Sequence, residues 1–497
     1  MALKTRILLA VMLGSGSVFL DSTVVNVALP RIGRELPHTL VGVLEGQSYV
    51  YNGYLLTLSA LLIPAGAAGD LWGRKRTFIA GLLGFGATSA LCGLAPNLEA
   101  LIAFRLLQGA AGALLVPGSL AIIRSSFEGE EQGRAFGLWA AASSATTLLG
   151  PLVGGLLVDN LTWRLAFLIN LPLVLVAAWS LLAMPETERR PAPIDLVGTV
   201  LCAAAVGGLS FGAIYGQQHG WRGPLPYLVI AIGVVALVAL PAWLARARHP
   251  LVPLELFRFR NFTVTNISTL LIYGALYVYS YFMALFLQGV LGYTAAAAGV
   301  AGVPIAIFLT LLSARFGGLA GRLGPRLFMV VGPLVMATGA LWLARVPSGS
   351  PGWRLSLSRP ESLVPSSGYL LDILPSFLVF GLGIAILVAP LTTALMTSVP
   401  QANAGVASAV NNALSRVGPQ LAGAAIFVAV TAVFNSRLGS AAASPLNAPP
   451  PGTPAGLARA ANLASTDAFH VAMALTTLLL VAGAVANLAI RNPSSKT

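Results

Sequence analysis

Apolar runs of about 20 residues recur from one end of this 497-residue chain to the other, separated by short polar stretches. A helix needs about that length to cross the hydrocarbon core of a bilayer. Strands of a transmembrane barrel would show segments of about ten residues with alternating polarity instead. Composition agrees: 57% of residues are hydrophobic, mean hydropathy is +0.83, and only 9% are charged, against about 25% in soluble domains. So few polar side chains cannot cover a water-facing surface on all sides. The chain is therefore read as an all-α, polytopic membrane protein.

Fourteen spans are expected, at about 7–29, 46–68, 77–95, 100–123, 135–157, 164–184, 195–216, 225–245, 262–289, 296–316, 326–345, 369–394, 404–434 and 469–490. Lys4 and Arg6 before the first run imitate a signal peptide, but the run continues past Asp21 to Pro30 without a cleavage site, so a retained first helix is expected. An even number of spans puts both termini on one side. Twice as many of the 29 lysines and arginines fall on that side as on the other, which places both termini in the cytoplasm. The Pro/Ser/Gly-rich stretches 346–368 and 435–468 then lie outside as flexible linkers.

Several classes of function are excluded by what is missing. The net charge of +13 sits in short loops and forms no basic face for nucleic acid. Cys92 and Cys202 lie inside apolar runs and read as small buried hydrophobes. His38, His219, His249 and His470 show no metal-ligand spacing, and no phosphate loop, G-x-S-x-G elbow or H-E-x-x-H pair occurs. No enzyme and no cofactor are expected.

Asp21 is the one acid well within a span, about eight residues or ~12 Å from the outer end of its helix. A bare carboxylate at that depth is costly and marks a functional position. Arg105, about five residues into the fourth span, is its natural partner, since either charge left alone in the membrane would be expensive. Outward snorkelling of Arg105 is the alternative. The polar and aromatic residues within spans, Asn26, Tyr51, Asn52, Gln108, Tyr273, Tyr277, Tyr281, Gln288, Asn411 and Asn412, are candidates for a substrate cavity. Helix-packing glue or an interfacial belt is the alternative for each. Tyr273, Tyr277 and Tyr281 share one helix face. Arg416, Asp372 and Glu45 are secondary candidates, the two acids for a proton path.

The loop after the second span, GAAGDLWGRK (66–75), recurs after the tenth as GGLAGRLGPR (317–326). Gly66 matches Gly317, Gly73 matches Gly324 and Lys75 matches Arg326, while Asp70 meets Gly321. The repeat fits two six-helix halves, 1–190 and 251–497, with two additional helices between them in 191–250. G-x-x-x-D-x-x-G-R-K after the second helix resembles motif A of the major facilitator superfamily. LDSTVVNVALP (20–30), LIAFRLLQGAAGA (101–113), LGPLVGG (149–155) and WRLAFLINLP (163–172) resemble, in order, further signatures of its fourteen-helix drug:proton antiporter branch.

That resemblance implies a major facilitator fold and an exporter in the cytoplasmic (inner) membrane. It would exchange lipophilic, neutral or monocationic molecules for protons by alternating access, driven by the proton gradient and working as a monomer. Asp21 and Arg105 would couple the proton. Gly66, Asp70, Gly73, Arg74 and Lys75 would form a cytoplasmic latch, with Asp70 facing the N-terminal end of helix thirteen and Arg74 reaching Glu128 or Glu131. Gly321 in place of the acid leaves the complete latch to the first half alone. Gly150, Pro151, Gly154 and Gly155 match the antiporter motif: the proline removes a backbone hydrogen bond and the glycines allow close helix approach. A plain packing kink is the alternative. An exporter of a specific lipid, siderophore or endogenous metabolite would share these motifs. An uptake symporter or a transport-derived sensor fits them less well.

Overall fold

The computed structural model describes residues 3–37, 43–182, 184–186, 195–218, 223–355, 360–438, 445–446 and 452–492, and within helices some side chains, including those of Asn26, Glu45, Pro151 and Gly155, are not described. His38 and His219 lie outside the described residues. Among the described residues regular structure is helical, with no strand. The helices are α1 (Leu3–Glu35), α2 (Val43–Trp72), α3 (Arg74–Gly93), α4 (Leu98–Ala113), α5 (Leu115–Ser126), α6 (Gly129–Asn160), α7 (Leu165–Leu168), α8 (Asn170–Leu181) and α9 (Leu196–Gln218). They continue with α10 (Leu225–Leu244), α11 (Arg260–Leu285), α12 (Ala295–Ala301), α13 (Val303–Leu323), α14 (Arg326–Leu343), α15 (Leu374–Thr397), α16 (Ala404–Leu438) and α17 (Ala455–Asn487).

Among the described residues, ten helical stretches are long and apolar enough to cross a membrane, and Leu165–Leu181 and Leu196–Gly212 are shorter apolar helices. The two remaining expected spans coincide with α3 and α6, which open on charges: Arg74 to Arg76 in α3, and Glu130, Glu131 and Arg134 in α6. Three expected spans are each interrupted once, at Leu114, Ile169 and Gly302. Pro117, Pro172 and Pro304 follow the interruptions. A proline has no N–H for the carbonyl four residues earlier, and its ring crowds that carbonyl. At these three places the proline coincides with a break in the ladder, whereas Pro64, Pro241, Pro333, Pro390 and Pro419 stand inside continuous helices. Where α4 begins, the Asn97 side chain accepts from the Ala100 amide at 2.8 Å, capping an otherwise unpaired N–H.

The chain divides into two compact units. Unit 1 comprises Met1–Asn266, Gly317–Leu323 and Thr392–Leu414. In it α1 packs along α6 and α8, α2 along α4 and α9, and α9 along α10. Val24, Val25, Ala28, Ile32, Leu101, Trp163 and Phe167 are buried in one apolar cluster, where Trp163 and Phe167 meet edge to face at 6.1 Å. Unit 2 comprises Ile267–Phe316, Gly324–Leu391 and Ser415–Thr497. There α14 packs along α17, the Tyr279 ring stacks on Phe380 at 3.8 Å, and its hydroxyl meets that of Ser376 at 2.8 Å.

The repeated loops have matching backbones. Gly73, between α2 and α3, has φ of 101°, and Gly324, between α13 and α14, has φ of 85°. L side chains avoid this region, so glycine lets one helix end and the next begin in a single residue.

Candidate functional site

Asp21 on α1 and Arg105 on α4 are both fully buried, and the Arg105 Nη1 donates to Asp21 Oδ2 at 2.5 Å. The other carboxylate oxygen, Oδ1, accepts from Gln108 Nε2 at 3.0 Å and from Asn170 Nδ2 at 3.1 Å. Both amides also donate to the Ser89 hydroxyl, at 3.1 and 3.0 Å, and Ser89 donates to the Phe167 carbonyl. Arg105 is held further by the Val50 carbonyl at 3.0 Å, the Gln108 Oε1 at 2.8 Å and the face of Tyr54, 4.0 Å from its ring centre. Side chains from α4 and α8 thus converge on the carboxylate of α1, and Ser89 of α3 braces the two amides. Every polar contact to that carboxylate is a donor, so the network is built for its charged form.

Gln108 was expected in a cavity wall; it belongs to this network instead, because both ends of its amide are engaged at complete burial. Asn170 and Ser89 are members that the sequence reading did not single out. Asn170 is an amide inside an apolar run, the same signal that marked Gln108. The Ser89 hydroxyl carries no such signal, since serines occur on every helix face.

Gly150 and Gly154 on α6 face α1 one turn beyond Asp21. A Cβ at Gly150 would strike the Thr23 hydroxyl, and one at Gly154 would lie 3.1 Å from the Val24 Cα. The close approach of α1 and α6 therefore depends on both glycines. The helix runs unbroken through Pro151. At the far end of α1, Arg31 hydrogen-bonds Glu35, holding that carboxyl below its usual range, and also donates to the Val158 carbonyl.

At the other end of unit 1, Asp70 accepts from the backbone amides of Gly405 at 3.2 Å and Val406 at 3.1 Å, in the first turn of α16. These amides have no partner within the helix, and an acid there also meets the positive end of the helix dipole. Gly66, one turn earlier, lets α2 touch α16: a Cβ there would run into the Gly405 carbonyl and the Ala409 side chain. Arg74 pairs with Asp70 at 3.2 Å and donates to the carbonyls of Ala121 and Gln401. It does not reach Glu128 or Glu131, as expected from the neighbouring loop, because its guanidinium is buried beneath α16. Glu131 pairs with Lys4. Lys75 also departs from expectation: it donates to the Leu182 and Met184 carbonyls at the end of α8 and takes no part in the α2–α16 contact.

The second copy of the loop, where Gly321 stands in place of the acid, meets the start of α6. Gly317 packs its carbonyl against Gly133 of α6, and Arg322 pairs with Glu130 at 2.6 Å. Here the acid stands in the first turn of the facing helix α6 and the cation in the last turn of α13. Gly321 is needed for that approach, because a Cβ there would lie 3.0 Å from the Glu130 Cα.

The other cavity candidates are divided between the two units. Asn411 is buried and donates to Asn266 at 3.1 Å, the Asn412 amide returns to Ser408 of its own helix, and that of Gln288 returns to Ala284. Tyr51 and Asn52 on α2 and Tyr273 on α11 are half-buried, and Tyr277 and Tyr281 are exposed. The packed tyrosine of α11 is Tyr279, between them in sequence and on another face. Asn26 lies on α1, its side chain outside the described residues. Asp372 accepts from the Ser350 hydroxyl at 2.6 Å and Arg416 is half-buried on α16, while the Glu45 side chain is not described.

The Major Facilitator Superfamily model matches residues 11–424. A tetracenomycin C resistance and export protein of Streptomyces glaucescens is 32% identical over 87% of this chain and 76% of its own length. The multidrug resistance protein Stp of Mycobacterium tuberculosis is 33% identical over 86% and 76%, and the multidrug export protein EmrB of Haemophilus influenzae is 31% identical over 82% and 76%. Among solved structures, a double-tryptophan mutant of XylE aligns over 99% of this chain and 96% of its own, with a TM-score of 0.60 at 13% identity. The human organic anion transporter MFSD10 aligns over 96% and 98%, with a TM-score of 0.57 at 16% identity. These two similarities concern the fold.

Proposed function

This chain belongs to the major facilitator superfamily, a family of membrane transporters, and we propose that it is a proton-coupled exporter of lipophilic, neutral or monocationic small molecules. The network around Asp21 carries this reading. A proton placed on Asp21 removes the charge that Arg105 neutralises and turns one acceptor oxygen into a donor. That O–H would face the N–H of Gln108, Asn170 or Arg105, so at least one bond breaks and the side chains from α1, α4 and α8 rearrange. Gly150 and Gly154 lie against Thr23 and Val24, so a shift of α1 near Asp21 is felt directly at α6.

Alternating access would then proceed in two coupled steps. Protonation from outside loosens the network, and the α2–α16 contact at Asp70 separates to admit cargo from the cytoplasmic side. Deprotonation toward the cytoplasm restores the charged network and the contact. In this reading both termini are cytoplasmic, the protein lies in the cytoplasmic membrane as a monomer of two six-helix bundles (1–190 and 251–497) with two additional helices (191–250), and the proton gradient is the energy source. The export and resistance names of the relatives support the outward direction. A narrower cargo, one endogenous metabolite, is supported by relatives named for a single antibiotic.

The test is efflux of a fluorescent lipophilic cation from inside-loaded proteoliposomes under an imposed proton gradient. Wild type should export faster with the gradient and release protons on addition of cargo. Asp21→Asn should bind cargo without that acceleration. Gradient-driven exchange at the wild-type rate in Asp21→Asn would sink the proposal.

A further inference from the structure

At the Asp70 end of unit 1 a cavity of about 620 Å³ lies between α2, the start of α9, the connector around Leu251 and the start of α16. None of the sequence-derived cavity candidates lines it. Its walls are mainly apolar, with Pro64, Leu71, Trp72, Leu114 and Leu251 among them. Its volume falls in the range of about 300–1,000 Å³ typical of sites for drug-sized molecules.

Two carboxylates border this apolar space, and they differ in charge compensation. Asp70 is paired with Arg74. Asp195 accepts from the Gly198 amide at 2.7 Å, the Trp243 indole at 2.8 Å and the Leu251 amide at 3.1 Å. All three donors are neutral, and among the described residues no cation pairs with Asp195. Those bonds fix the carboxylate by tying together the start of α9, the end of α10 and the connector. Asp195 caps the start of α9 and, among the described residues, has no side-chain cation paired with it beside apolar walls, where attraction to a cation is stronger than in water. The cavity also has walls on both sides of the α2–α16 contact: Asp70 from α2, and Asn403 and Val406 beside and within the first turn of α16.

We propose that this cavity binds an amphipathic monocation of drug size, its charged group at Asp195 and its apolar body against Pro64, Leu71, Trp72 and Leu251. An occupant touching both sides holds α2 on α16 and slows turnover, so high concentrations of a cationic cargo inhibit their own export. The binding half of the proposal stands on the cavity alone; the inhibition half rests on the exporter reading above.

The probe is tetraphenylphosphonium, with tetraphenylborate as its size-matched anion, added to the full-length protein in nanodiscs. Trp72 lines the cavity and is exposed, so the fluorescence change lost in Trp72→Phe reports occupancy. Expected are a saturable Trp72-dependent change with the cation, a tenfold or greater loss of affinity in Asp195→Asn, and no change with the anion. Thr199→Phe, which fills the cavity from α9, should abolish the signal and remove inhibition at high probe concentration. Unchanged affinity in Asp195→Asn, equal binding of tetraphenylborate, or a signal that follows lipid acyl length instead of the cation would each overturn the site. A normal Trp72 signal in a protein that exports nothing would leave the site standing and refute the exporter reading, so the two failures are distinguishable.

Discussion

Replacing Asp70 by asparagine keeps the shape of the side chain and removes one charge from the α2–α16 contact. The carboxylate is 9% exposed and accepts from the Gly405 and Val406 amides, one on each oxygen. Asparagine has a single acceptor oxygen, so its NH2 group would face one of those amides, donor against donor. Losing one hydrogen bond to a charged group costs about 2 kcal/mol. Arg74 retains the carbonyls of Ala121 and Gln401, which limits the further loss. A change of about 2 kcal/mol moves an equilibrium about 30-fold, here toward separated α2 and α16. Ala404 is fully buried at the start of α16, so a cysteine there reports the separation. In an Ala404→Cys, Cys92→Ser, Cys202→Ser background, Asp70→Asn should raise the rate of maleimide labelling by roughly an order of magnitude. Maximal export should fall while affinity for cargo is kept. Unchanged labelling with slowed export would refute the latch, and so would lost affinity with normal turnover.

Other substitutions probe the remaining contacts. Arg105→Leu leaves Asp21 buried without its cation and should lower stability by about 3–5 kcal/mol; adding Asp21→Asn should restore most of the thermal stability in detergent without restoring proton exchange. Gly150→Ala drives a methyl group into Thr23 and should cost about 1–3 kcal/mol by overpacking, read as a lower melting temperature that Thr23→Ala partly recovers. Reversing the second-copy pair, Glu130→Arg with Arg322→Glu, should support export better than either single change, as measured by efflux from loaded vesicles. Equal activity in all three would mean that this exposed pair contributes nothing to turnover.

The buried charge pair was legible because a carboxylate and a guanidinium in a chain with 9% charged residues have few structural explanations. The turn glycines Gly73 and Gly324 were legible because the loop repeats, and repetition compares two positions under one backbone requirement. Asn170 was missed although it stands in an apolar run as Gln108 does. Arg74 was given the wrong partner because closeness was judged by loop order, whereas its acceptors are the Asp70 side chain and backbone carbonyls of Ala121 and Gln401. Main-chain acceptors have no sequence signature. For the tyrosine stripe of α11, helical spacing shows which residues share a face and leaves open what that face meets. Prolines alone do not locate the interruptions near Leu114, Ile169 and Gly302, because Pro64, Pro241, Pro333, Pro390 and Pro419 stand inside continuous helices.

At Gly66 against Gly405, and at Gly133 against Gly317, the backbones of two helices touch directly, with only the short Ala409 methyl and the Asp70 carboxylate beside the first contact. Interlocking side chains must be sorted into one set of rotamers each time they engage, and long ones lose up to about 2 kcal/mol of rotamer freedom in the process. A glycine has no rotamers to sort. Such joints should therefore close in one step once aligned, with little hysteresis and weak temperature dependence in the closing rate. Wear on this machinery under mutation would be felt at these points of contact first, since an added atom there meets a backbone carbonyl that cannot yield as a flexible side chain does.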